Sequence, residues 1–283
     1  MSNAQSSDDL DFTKRPSKSP IYDPKVARLC FDALGSVESV PKGAAFFTEN
    51  QNSDRMYLLD EGEVALTRGG KAIDVVRAGE IFGEIAWISQ LPRSATATAR
   101  SACRAVSLDG TQFPKAIQKL PEFALMLMNI LINRLRLTIT MLSVSKALDA
   151  SDGTRTRRLF DEKLLHGLMV ATQHRPPQHC PLNKVIMREG EGGVFMYVVL
   201  SGRVAISIKG KLVEWVGPGG VFGEMALVDQ SPRAATATAE TDCDLLAINR
   251  GDFLKMVKTN PDFAISLLKA AADRLRDMTS RRT

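Results

Sequence analysis

Residues 81–99 read IFGEIAWISQLPRSATATA, and residues 221–239 read VFGEMALVDQSPRAATATA. The second stretch lies 140 positions after the first without a gap, and twelve of the nineteen positions are identical. Each copy has a Phe-Gly-Glu turn, a short and mostly apolar run, then Pro-Arg and a strand of alternating Ala and Thr. A chain of 283 residues that carries one cassette twice is a duplicated, two-domain chain.

The register extends outward from the cassettes. Met56-Tyr57 matches Met196-Tyr197, Gly62 matches Gly202, Gly79 matches Gly219, and Cys103 matches Cys243. Asn133-Arg134-Leu135-Arg136 likewise matches Asp273-Arg274-Leu275-Arg276. The repeat divides the chain into a flexible N-terminal tail at 1–20, a first domain at 21–150 and a second at 151–283. In the first copy, Val26, Leu29, Cys30 and Leu34 recur at helical spacing before Gly35. Strand-like segments follow at Ala44–Thr48, Met56–Asp60, Glu63–Thr67, Ala72–Arg77, Ala95–Ala99 and Cys103–Leu108. Glu61-Gly62 and Gly69-Gly70 are hairpin signals between them. Many short strands with regular turns predict a small antiparallel barrel or sandwich. Helical patterns then cover Gly110–Lys119 and Pro121 to about Leu148, a linker starts at Asp152-Gly153, and a helix is predicted from Arg158 to about Val170. The stretch from His174 to Cys180, with its adjacent prolines, reads as a loop, and the last helix runs from Pro261 to about Met278.

Composition narrows the classes. The net charge is +5 and 44% of residues are hydrophobic, so each half can bury a core. The N-terminus MSNAQSSDDLDF is polar and acidic, unlike a signal peptide. The run Phe123–Ile132 meets Asn133 and Arg134 too early to span a bilayer. None of the four cysteines forms a CxxC pair, so they read as small buried hydrophobes of a reducing compartment. His174, His179 and Cys180 lie in one short loop without a partner cluster, which does not make a metal site. A cytoplasmic protein with no membrane segment and no metal is expected. The helix from Phe123 is apolar around much of its circumference, and packing of 123–148 against a second chain, as a homodimer, is the natural use of the surplus.

The cassette has a chemical logic of its own. Gly83 and Gly223 allow close backbone approach or a positive φ. After Glu84 and Glu224, Ile85-Ala86 and Met225-Ala226 can form a helical turn whose free N–H groups face an anion. Arg93 and Arg233 return opposite that turn with a planar fork suited to phosphate, and the glutamates accept from hydroxyls. Phosphate plus sugar in an apolar-walled pocket means a nucleotide. The alternative is an ion pair, Glu84 with Arg93 and Glu224 with Arg233, that merely closes a turn; repetition of the whole cassette argues against it.

FGEIAWISQLPRSATATA and FGEMALVDQSPRAATATA resemble the phosphate-binding cassette of the cyclic nucleotide-binding domain family, the family of the catabolite activator protein and of cyclic AMP-dependent kinase regulatory subunits. The resemblance covers about 21–148 and 158–283. It implies an α+β chain of two tandem β-roll (jelly-roll-like) domains with flanking helices. It also implies that Arg93 and Arg233 grip the cyclic phosphate and that Glu84 and Glu224 accept from the ribose 2′-hydroxyl. Gly83 and Gly223 would give backbone access, with N–H groups of Ala86, Ala95, Ala226 and Ala235 assisting. Ser94 carries a hydroxyl associated with tolerance of guanine, whereas Ala234 has none and marks a cyclic AMP site; cyclic GMP stays open as a ligand of the first. Thr138 aligns with the helix hydroxyl that contacts adenine, and Met278 holds that position in the second copy. One departure is Glu49-Asn50-Gln51, where the second copy has Glu189-Gly190-Glu191, in a turn expected to lie away from the cassette.

No P-loop, kinase signature or nucleophile elbow is present, so an enzyme is not expected. No helix-turn-helix follows either terminal helix, which argues against specific nucleic-acid binding. The expectation is a tandem cyclic nucleotide sensor of bacterial type, with output through an unidentified effector protein. A kinase-regulatory subunit, and a scaffold with degenerate pockets, are the alternatives.

Overall fold

The computed structural model describes residues 23–52, 54–144, 159–172 and 174–280. The expected tail at 1–20, the repeat boundary at 150, the linker at Asp152-Gly153 and the ends of the adjoining helices at Leu148 and Arg158 lie outside the described residues. The chain forms two compact units, Met1–Ala116 and Ile117–Thr283.

In the first unit, α1 (Pro24–Leu34) starts at Asp23, whose carboxylate accepts from the Lys25 N–H at 2.9 Å, with Pro24 in the first turn. Eight strands follow: β1 (Ser36–Val40), β2 (Ala45–Phe47), β3 (Met56–Glu61), β4 (Glu63–Arg68), β5 (Lys71–Arg77), β6 (Ile81–Phe82), β7 (Thr96–Ala99) and β8 (Cys103–Leu108), with α2 (Glu84–Ser89) between β6 and β7. They make two antiparallel four-stranded sheets, ordered β1-β8-β3-β6 and β2-β7-β4-β5. This is a β-roll. Between the sheets lies a core that includes Phe47, Tyr57, Leu59, Val64, Val76, Phe82, Ala97 and Ala105. Both hairpin signals hold: Gly62, Gly69 and Gly70 all take positive φ, a conformation that an L side chain disfavours.

Helix α3 (Gln112–Lys119) crosses into the second unit, which continues with α4 (Pro121–Val144) and α5 (Glu162–Ala171). A second β-roll follows, of β9 (Gln178–Cys180), β10 (Val185–Met187), β11 (Phe195–Ser201), β12 (Val204–Ile208), β13 (Lys211–Val216), β14 (Val221–Phe222), β15 (Thr236–Ala239) and β16 (Cys243–Asn249). Helix α6 (Glu224–Asp229) sits between β14 and β15, and α7 (Arg250–Thr259) and α8 (Pro261–Ser280) follow β16. The sheet orders, β9-β16-β11-β14 and β10-β15-β12-β13, are those of the first roll. Even the irregularities are copied. The β4–β5 register slips between Leu66 and Thr67, and β12–β13 slips between Ile206 and Ser207, 140 positions on. Tyr57 stacks on Phe82 and Tyr197 on Phe222, each at 5.1 Å between centroids. The α+β class and the paired β-rolls are as the cassette implied.

Two expectations change. Residues 178–180 are not a loop but β9, because the backbone of Gln178, His179 and Cys180 pairs with Leu245, Asp244 and Cys243. The His179 ring then lies 3.1 Å from Asp244. Among the described residues there is no group of three or more His, Cys, Asp or Glu able to hold a metal. Helix α4 does not lose its apolar character at Asn133: Pro121–Ser143 is long and apolar enough to cross a membrane, by length and composition alone. It packs instead as a core helix against α8, α7 and α6, with Glu122 3.5 Å from Lys258 of α7. Part of its apolar circumference is covered by these helices. Among the described residues Leu137, 52% exposed, is the large hydrophobic that α4 leaves open. All four cysteines are free and buried, as small core residues would be.

Candidate functional site

Each cassette begins where a two-residue strand runs into a glycine that no other residue could replace without strain. Gly83 has φ +77° and Gly223 φ +79°, and a Cβ on either would come within 2.7 Å of Nη1 of Arg93 or Arg233. The glycines cap α2 and α6, six-residue helices closed by Gln90 at φ 55° and Gln230 at φ 56°. Left-handed backbone costs a non-glycine residue about 1–2 kcal/mol, and the same glutamine accepts that cost in both copies. Such strain collects at functional turns.

The arginines return beneath these turns. Arg93 is 1% exposed and donates through Nη1 to the Gly83 carbonyl and through Nη2 to the Arg55 carbonyl, both at 2.6 Å. Arg233 is 6% exposed and donates in the same way to Gly223 at 2.8 Å and Phe195 at 2.6 Å. The two carbonyls take two of the five N–H donors of each guanidinium. Burial pushes both arginines below their ordinary pKa; Tyr57 and Glu84 oppose this at Arg93, and Tyr197 and Glu224 at Arg233. At Arg233 the hydrogen bonds go to neutral carbonyls, so an anion placed there would add a charge-assisted partner.

The turn at 49–51 is part of this grip and not remote from it. The Asn50 N–H donates to the Arg93 carbonyl and the Arg93 N–H to the Gln51 carbonyl, each at 2.9 Å. Gly190, Arg233 and Glu191 repeat the exchange at 2.9 and 2.8 Å. Asn50 takes φ 66° where Gly190 takes 83°, so the departure from glycine is absorbed by the residue type that best tolerates that region.

The second unit gathers its residues around a pocket of about 70 Å³, smaller than the roughly 300–1,000 Å³ typical of small-ligand sites, so a ligand of nucleotide size requires it to open. Gly223, Glu224, Met225, Ala226, Arg233, Ala234 and Ala235 all line it, as does Met278. Glu224 pairs with Arg274 of α8 at 2.7 Å, not with Arg233. Arg274 also reaches Glu214 at 3.0 Å and the Val221 carbonyl at 2.5 Å. Burial would lower the pKa of Arg274, but Glu214 and Glu224 outweigh it and hold the pKa well above the ordinary value. Arg274, Glu214 and Gly193 were not singled out in the sequence. The only signal for Arg274 was its place in the repeated Arg-Leu-Arg motif. Gly193 lies against the guanidinium, where a Cβ would meet Cζ of Arg233 at 2.3 Å.

In the first unit, Gly83, Glu84, Ile85 and Ala86 form the turn and start of α2, and Arg93, Ser94 and Ala95 lead into β7. Arg93 lies 4.0 Å over the Phe47 ring, where the second copy has Met187. Thr138 belongs to the other unit: it is buried on α4, and its hydroxyl donates to the Arg134 carbonyl at 2.9 Å.

A family model described as "Cyclic nucleotide-binding domain" matches residues 37–119 and 177–260, more than half of the chain. The chain belongs to the cyclic nucleotide-binding domain family. Among curated relatives of this tandem protein, the cAMP-dependent protein kinase regulatory subunit of Yarrowia lipolytica is 25% identical, over 81% of this chain and 56% of its own length. The cyclic AMP receptor protein of Thermus thermophilus is 34% identical over 40% of this chain and 57% of its own length. A cyclic nucleotide-gated potassium channel of Rhizobium etli is 38% identical over 35% of this chain and 27% of its own. The chain thus spans between about a quarter and somewhat over half of these relatives. A solved structure of the Toxoplasma gondii PKA regulatory domain with cAMP is 20% identical, covering 92% of this chain and 90% of that one, with a TM-score of 0.32.

Proposed function

We propose that both cassettes bind a cyclic nucleotide, cyclic AMP in the second and cyclic AMP or cyclic GMP in the first, and that the chain passes occupancy to an effector protein. The observation that carries this is the second pocket. It joins a buried phosphate-matching cation, Arg233, to an acceptor for a sugar hydroxyl, Glu224, within apolar walls. The phosphate would take further donors of the guanidinium together with N–H groups at the start of α6. The ribose hydroxyl would share Glu224 with Arg274. The first cassette repeats the glycine, the arginine and the carbonyl contacts, and Ser94 adds a hydroxyl where Ala234 has none.

Titration calorimetry with cyclic AMP and cyclic GMP tests the proposal. Two equivalents per chain are expected. Arg93→Ala and Arg233→Ala should each remove one, because two charge-assisted hydrogen bonds at about 1.5–3 kcal/mol each correspond to an affinity loss of about 100-fold or more. Unchanged stoichiometry in both variants would refute the assignment. We place the protein in the cytoplasm and assign it no catalytic step and no specific nucleic-acid contact.

A second reading, that the effector is a protein kinase, draws support from the Yarrowia relative, whose similarity runs through both rolls. Capture of a kinase that cyclic AMP releases would establish it. The homodimer through 123–148 stays part of the proposal, supported by Leu137, 52% exposed on α4.

A further inference from the structure

Two side chains in the second pocket do not come from the second repeat. Leu135 and Ile139 belong to α4, the terminal helix of the first copy, yet both line the pocket that holds Glu224 and Arg233. They are four residues apart and so share one face of the helix. Leu135 is 2% exposed, and Ile139 is partly buried.

The helix is fastened where this matters. Arg136, next to Leu135, pairs through Nε with Oδ2 of Asp229 and through Nη2 with Oδ1 at 3.1 Å. Asp229 is the last residue of α6, the cassette helix itself, and its carboxylate also accepts from the Ser231 N–H at 3.0 Å. The pair therefore ties α4 to the element that faces the phosphate. It did not arise by duplication: the first cassette has Ser89 at the corresponding position, with no carboxylate to offer. The pair is largely buried and joins the helix of the first copy to the cassette of the second.

We infer that α4 is the lid of the second nucleotide site: Leu135 and Ile139 cover the purine, and the Arg136–Asp229 pair positions them. This rests on the reading of the second pocket as a cyclic nucleotide site. With the phosphate at Arg233 and the ribose at Glu224, the base is the part left for the apolar remainder of the pocket, which α4 shares with Met278 of α8. Burying an aromatic base against two aliphatic side chains is favourable in proportion to the area removed from water. Selectivity at the second site would then be set partly by a helix inherited from the first copy.

The test uses the whole chain with Arg93→Ala, so that only the second site titrates. Two ligands are compared: cyclic AMP, and the ribose cyclic phosphate without a base. Leu135→Ala and Ile139→Ala should each weaken cyclic AMP about tenfold, some 1.4 kcal/mol, and leave the base-free ligand unchanged. Asp229→Asn should move cyclic AMP in the same direction, and Arg136→Lys, which keeps the charge, should restore most of what Arg136→Ala loses. Equal weakening of both ligands would mean a merely structural helix and overturn the inference, as would no change in either. If Leu135→Ala does not fold, Ile139→Ala at its more open position carries the same comparison. Failure of the underlying reading looks different: the Arg93→Ala chain would bind no cyclic AMP, or Arg233→Ala added to it would not abolish binding.

Discussion

The two rolls share their strand order, their bulges, their stacked aromatic pairs and the carbonyl grip on the arginine, yet their terminal helices are used differently. In the second copy α8 stays with its own cassette, and Arg274 joins it to Glu224 and Glu214. In the first copy the corresponding helix, α4, packs in the other unit against α8, α7 and α6. Duplication thus reproduced what lies within a roll, where register and core packing tie neighbouring residues together. It did not reproduce what a helix does after it leaves the roll, because a few side chains decide where an apolar helix docks. On the proposed reading, the phosphate end of a site is therefore inherited, and the base end is free to diverge.

That contrast can be broken by experiment. The largest effect is expected at Arg274. Arg274→Leu leaves two carboxylates, Glu214 and Glu224, without their cation in a largely buried position, a loss of about 3–5 kcal/mol. Thermal unfolding should show the second unit melting first, and Glu214→Leu added to it should recover part of the loss. An unchanged melting profile would mean that the helix is not held through this arginine.

A smaller effect separates the two arginine seats. Arg93 lies over the Phe47 ring, and Phe47→Met copies the second seat into the first. Removing a partly desolvated cation–π contact costs about 1–2 kcal/mol, read as lower stability of the first unit and a looser first site. Met187→Phe is the converse exchange, and if it tightens the second site the seats are interchangeable. The least change is expected in the turn that pins each arginine. Asn50→Gly should alter stability by about 0.5 kcal/mol or less, since both residues tolerate positive φ, whereas Asn50→Val should cost about 1–2 kcal/mol. A tolerated valine would show that the turn relaxes and that the copies need not match there.

The cassette was legible because its requirements are local: a glycine for positive φ, a short turn, an arginine that returns beneath it. The hairpins at Gly62 and Gly69-Gly70 were legible for the same reason. Strands β1 and β9 were not, since SVESV and QHC have neither an apolar alternation nor a flanking signal. They are strands because β8 and β16 supply hydrogen-bonding partners, and nothing in the segments themselves announces that. Arg274 and Glu214 are 60 residues apart and meet only when α8 docks. The surplus of apolar residues on α4 correctly demanded a partner, but composition cannot say whether that partner is another chain or another part of the same one. The turn at Glu49-Asn50-Gln51 was misplaced because its contact with Arg93 spans more than forty positions.

The guanidinium grip has a kinetic side. A free arginine side chain loses up to about 2 kcal/mol of rotamer freedom when it is immobilised, a charge normally levied on the ligand that orders it. At 93 and 233 the Gly83, Arg55, Gly223 and Phe195 carbonyls impose that order during folding. On the proposed reading, a phosphate then meets a preorganised receptor, and association requires an exchange of hydrogen-bond partners with no search through conformations. Arrival should be fast at either cassette, and differences in residence time between the two would have to come from the base end.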